Sequence, residues 1–107
     1  MKRVKITGAR GDWTAEVEAR RLAVIHDTWF KPKDRYLDPM QGADLNGKRY
    51  QDFLTALQSS DKVVMQRDIP GTFTRNGYVG VFFFKDLVVG DDGSIGLTLT
   101  GRYADPK

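Results

Sequence analysis

The sequence predicts an α+β domain that is mostly β: a strongly bent antiparallel sheet, or small partly open barrel, of about six strands with one helix packed on it. Three observations carry this prediction. The run Gly77-Tyr78-Val79-Gly80-Val81-Phe82-Phe83-Phe84 is the most apolar in the chain and is rich in β-branched and aromatic residues. Read as a plain alternation, it places Tyr78, Phe82 and Phe84 on one face and Val79, Val81 and Phe83 on the other, so both faces need cover and the strand belongs mid-sheet. Most other apolar segments alternate and are joined by turn residues, the pattern of hairpins. Only residues 49–59 carry a helical stripe.

Taken in order, Arg3-Val4-Lys5-Ile6-Thr7 alternates, with Val4 and Ile6 inward. Gly8 to Asp12 is turn chemistry; its Arg-Gly-Asp tripeptide sits where a hairpin wants Gly and Asp. Trp13-Thr14-Ala15-Glu16-Val17 puts Trp13, Ala15 and Val17 on one face. Glu18-Ala19-Arg20 turns the chain, and Arg21 to His26 returns with Leu22 and Val24 on that same face. Residues 27–48 hold three aromatics and two prolines without a clear period. A loop of that length inside a small domain is uncommon and is either functional or a lid.

From Arg49 to Ser59, Tyr50, Phe53, Leu54 and Leu57 form one apolar stripe, with Asp44 or Asn46 placed to cap it. Lys62 to Arg67 reads as a strand, followed by an exposed arm from Asp68 to Asn76. The central strand comes next and runs toward Val89. Gly90-Asp91-Asp92-Gly93 is a hairpin turn. Ser94 to Thr100 alternates with Ile95, Leu97 and Leu99 inward, and Gly101 to Lys107 is read as a polar tail.

The 107 residues make a single domain, 1–107, able to bury one core. No apolar run approaches the roughly 20 residues of a membrane helix, so no membrane role is expected. Met1-Lys2-Arg3-Val4-Lys5 is basic, but no apolar stretch of signal-peptide length follows. Cysteine is absent, which removes disulfides, thiol nucleophiles and cysteine-ligated zinc, and fits a cytoplasmic location. The net charge of +3 is uneven: +4 over residues 1–35, −1 over 36–60 and zero over 61–107. The N-terminal third therefore offers a basic face that could meet phosphate.

Catalytic signatures are missing. His26 is the sole histidine, and the adjacent Asp27 points to the opposite face of a strand, so no base–orienter pair forms. No metal site and no cofactor are expected. Gly42-Ala43-Asp44-Leu45-Asn46-Gly47-Lys48-Arg49 matches the start of a phosphate-binding loop but has Arg49 where Ser or Thr must hold magnesium. What survives is an anion site at a helix N-terminus bearing Lys48 and Arg49.

The strongest constellation is Trp29, Phe30 and Tyr36 interleaved with Lys31, Lys33 and Arg35. Exposed aromatics among cations stack bases while neutralising phosphates. The plainer alternative is that Trp29 and Phe30 plug the core while the charges reach outward. The sequence thus points to a small non-catalytic module contacting nucleic acid through residues 26–36, with Arg10, Arg20 and Arg21 of the first hairpin beside them. The other reading is a protein-interaction domain, homodimeric through a sheet edge, with no nucleic-acid role. Asp61-Lys62-Val63-Val64-Met65 followed by Gly77-Tyr78-Val79-Gly80-Val81 resembles the closing strands of PUA-type small barrels. That resemblance covers under half the chain and, as a likeness of fold, implies a small barrel that reads RNA or modified bases.

Overall fold

A computed structural model describes residues 2–8, 12–27, 35–40, 42–68 and 75–107. Strand accounts for 58% and one helix is present among the described residues, so the mostly-β α+β class holds. The strands are β1 (Arg3–Val4), β2 (Ile6–Thr7), β3 (Thr14–Val17), β4 (Arg20–Asp27) and β5 (Arg35–Asp38), then, after helix α1 (Lys48–Gln58), β6 (Lys62–Asp68), β7 (Arg75–Val89) and β8 (Ile95–Pro106).

Seven of them form a nearly closed barrel in the order β1-β8-β7-β6-β4-β3-β2, with β5 added to β8 off that path. Closure comes from the N-terminal segment. β1 pairs with the end of β8, Arg3 opposite Asp105, and β2 pairs with β3, Ile6 opposite Val17. A single residue, Lys5, separates the two halves, so one short stretch of chain spans both edges of the sheet. The pairings β1·β8 and β4·β6 are parallel and the others antiparallel. Parallel neighbours need a crossover, and β5 and α1 supply it between β4 and β6.

The sheet carries an apolar layer on each face. The inner layer takes side chains from every strand of the barrel: Val4, Ile6, Ala15 with Val17, Leu22 with Val24, Val64, Val81 and Ala104. The outer layer lies under α1, where Phe53 and Leu57 meet Ala23, Ile25, Met65, Phe82 and Leu97. Both clusters are built on the expected alternation along β4 and β6.

Several expectations change in detail. The central strand is covered on both sides, but its alternation breaks at Val79–Gly80. Met65 pairs with Gly80 and Gln66 with Tyr78, leaving Val79 as an extra residue. This bulge puts Tyr78 and Val81 in the inner layer and Val79, Phe82 and Phe84 in the outer one. Residues 101–107 are not a polar tail: β8 continues to Pro106 and Ala104 is fully buried between β1 and β7. Residues 35–38, assigned to the irregular segment, are a strand held by β8. Trp13 precedes β3 and turns outward, meeting Tyr50 and Phe53 edge-on with centroids 6.1 and 5.9 Å away. The helix N-cap is Gly47 with no side-chain cap bond; Asp44 instead accepts the Asn46 N–H within the preceding turn. The Gly90–Gly93 turn forms as expected, closed by the Gly90 N–H on Ser94 O at 2.8 Å.

Candidate binding site at the barrel mouth

The site begins with a strained turn. β3 and β4 are joined by two residues only, Val17 pairing with Arg20. Such a loop matches the twist of its strands only when both residues have positive φ. Glu18 and Ala19 comply, at φ 50° and 62°, although neither is glycine or asparagine. The turn sets Glu18 on the rim of the barrel, where the N-terminal segment and the end of β8 also arrive.

Three side chains close a ring of hydrogen bonds there. Lys2 Nζ lies 2.6 Å from Glu18 Oε1 and donates to the Tyr103 hydroxyl at 2.7 Å. Tyr103 in turn donates to Glu18 Oε2 at 2.7 Å. The Lys2 ammonium, and after it the Tyr103 hydroxyl, holds the Glu18 carboxyl below the usual range, and the same bonds raise Lys2. On the other side, the turn after α1 delivers Ser60, Asp61 and Lys62. The Lys62 N–H donates to Ser60 Oγ at 3.1 Å and Lys62 Nζ pairs with Asp61 Oδ1 at 3.0 Å, lowering the Asp61 carboxyl. The Lys62 ammonium also sits 4.9 Å from the Tyr103 ring centre and 5.3 Å from that of Phe83. The two rings meet edge to face at 5.5 Å.

Of these groups Glu18, Ser60, Lys62 and Tyr103 line a cavity of about 370 Å³. Its floor is Val17 and Leu22, each 3% exposed and part of the inner layer. Its wall carries Arg20, Ser60, Lys62 and Tyr103. Lys62 also acts on Glu18, and Arg20 on Asp61. The charges therefore alternate around the mouth as Lys2, Glu18, Lys62, Asp61, Arg20, with cations in the majority.

The residues singled out from the sequence scatter. Trp29, Lys31, Lys33 and Arg10 lie outside the described residues. Arg20 and Arg21, neighbours on β4, face opposite ways: Arg20 to the mouth, Arg21 to a second groove of about 420 Å³ beside the helix. Lys48 lines that second groove and pairs with Asp52 at 2.5 Å, while Arg49 lies over the Trp13 ring at 4.2 Å. Arg35 bridges β5 to a bulge in β7, donating to Asp86 O at 2.6 Å and Thr98 Oγ1 at 3.1 Å. Tyr36 is half-buried against the outer layer. The 26–36 segment leaves β4 at the far end of an eight-residue strand from Arg20, about 23 Å away.

Apart from Arg20, the mouth was invisible in the sequence, because its members are far apart: Lys2 and Tyr103 are separated by 101 positions. One faint signal existed. Arg35-Tyr36-Leu37-Asp38-Pro39 and Arg102-Tyr103-Ala104-Asp105-Pro106 repeat one pattern, and the second copy contains Tyr103. Among the described residues no three His, Cys, Asp or Glu side chains gather as a metal group would require, and no helix is long and apolar enough to cross a membrane.

No family model, no curated protein and no solved structure matches this chain. The resemblance to PUA-type barrels therefore remains one of strand pattern.

Proposed function

We propose that the protein is a non-catalytic, cytoplasmic binding module that holds nucleic acid by its phosphates at the barrel mouth. The observation that supports it is the gathering of Lys2, Arg20 and Lys62 around the Phe83–Tyr103 ring pair at one end of the barrel. Cations beside aromatic faces are the combination that single-stranded nucleic acid uses, phosphate on charge and base on ring. The segment carrying Trp29, Lys31 and Lys33 is a separate contact in this reading, because it leaves β4 at the end opposite Arg20.

The test is a titration of a labelled single-stranded oligonucleotide at rising salt. Three phosphate contacts give a slope of log K against log salt of about −2, or roughly a twenty-fold loss between 50 and 200 mM. Arg20→Ala and Lys62→Ala each reduce the magnitude of that slope by about 0.7. A double Lys31→Ala, Lys33→Ala variant measures the loop's share. No binding at low salt overturns the reading.

A second reading has its own observation. Leu37 on β5 is 74% exposed and Val88 on β7 is 57% exposed, and both stand in register with Gly96 of β8 between them. Bare apolar side chains on a short outer strand suit pairing with a second copy. Sedimentation at rising concentration would then show a dimer that Leu37→Asp abolishes; a monomer throughout rules it out.

A further inference from the structure

We propose that the mouth cavity takes one phosphate monoester, so that the module prefers a terminal phosphate over the internal phosphodiesters of a chain. The inference rests on the mouth being the binding face and specifies what enters it. The cavity is a dead end. Its floor, Val17 and Leu22, is the inner layer of the barrel itself, so a polymer cannot thread through. At about 370 Å³ it sits near the small end of ligand pockets, with room for a phosphate and part of the group that bears it.

The wall is built of donors. Arg20 presents its guanidinium, and Lys62 has N–H bonds beyond the one given to Asp61. Ser60 Oγ already accepts the Lys62 N–H, which leaves its own O–H to donate. Glu18 lines the same cavity, but its two carboxylate oxygens are engaged by Lys2 and Tyr103, which blunts its repulsion of an anion. A monoester carries about −1.5 to −2 charges at pH 7, against −1 for a diester, and three oxygens that accept strongly. It offers Arg20, Lys62 and Ser60 one strong acceptor oxygen each at nearly twice the charge, where a diester inside a strand offers two free oxygens and a single charge. The same chemistry could arrive as the end of a nucleic acid or as a free nucleotide.

The experiment compares one single-stranded sequence with a 5′-phosphate, a 3′-phosphate or hydroxyl ends, alongside a free nucleoside monophosphate as competitor. At least one phosphorylated end is expected to bind about ten-fold tighter than the hydroxyl-ended strand. Ser60→Ala should erase most of that preference. Preference should fall as pH drops through about 6, where the monoester takes up its proton. Competition by the free nucleotide at the affinity of the phosphorylated end identifies a mononucleotide source. Preference without such competition identifies a chain end. Both support the proposal. Equal affinity for all ends overturns it while leaving nucleic-acid binding intact. Failure of every strand to bind overturns both.

Discussion

Glu18 and Ala19 hold left-handed backbone that costs an L-residue about 1–2 kcal/mol each. Glycine relieves that strain and returns part of the gain as lost backbone entropy. Ala19→Gly is therefore expected to stabilise by roughly 0.5–1 kcal/mol, raising the melting temperature by a few degrees in a domain of this size; thermal melts check it. Glu18 is different, because its side chain closes the ring with Lys2 and Tyr103. Its folded carboxyl titrates below the ordinary value, so its contribution is present above that value and is lost as pH falls through the folded one. Lys2 titrates above its ordinary value of 10.5, so its share is present below 10.5 and is lost only as pH rises beyond. Melts of wild type and Glu18→Gln should differ at pH 6 and converge toward pH 2. A constant gap would show that Glu18 acts through packing alone.

At the scale of elements, Gly80 decides the course of β7. A Cβ there would strike Arg102 Nη1 and stand 2.9 Å from the Ala104 carbonyl oxygen. Arg102 can move, but the Ala104 backbone is pinned between β7 and β1. Gly80→Ala is expected to destabilise by about 1–3 kcal/mol, read from denaturant midpoints. The same residue explains what the sequence could and could not reveal. The apolar octet announced a covered strand, because both alternate faces are apolar. A bulge leaves no mark in an apolar run, so the assignment of Val79 and Phe82 to opposite faces failed. The stripe of Tyr50, Phe53 and Leu57 located α1 to within one residue, since period and packing agree there. β5 and the end of β8 were missed for a shared reason. Arg35-Tyr36-Leu37-Asp38 and Arg102-Tyr103-Ala104-Asp105 are short, charged and followed by proline; partners distant in sequence make them strands.

For the whole molecule, closure is the property on which the mouth depends. The N-terminal segment joins β8 to β3 and brings Lys2 to Glu18. Removing residues 1–7 uncovers an edge of each strand and takes away one mouth cation. Such edges pair with other chains. The truncated protein is expected to elute as larger species in size-exclusion chromatography and to melt less cooperatively. An unchanged monomer with the wild-type midpoint would show that closure is dispensable. Site legibility followed the same logic. Arg20 was picked out, as part of a basic hairpin, but its companions come from four separate parts of the chain and only the closed sheet assembles them.

The most direct test of the mouth as the binding face is amide chemical-shift mapping with a single-stranded oligonucleotide. The account predicts perturbations concentrated at Lys2, Glu18 to Arg20, Ser60 to Lys62 and Arg102 to Tyr103. Shifts confined to β5 and the outer face of α1, with those residues unmoved, would contradict it.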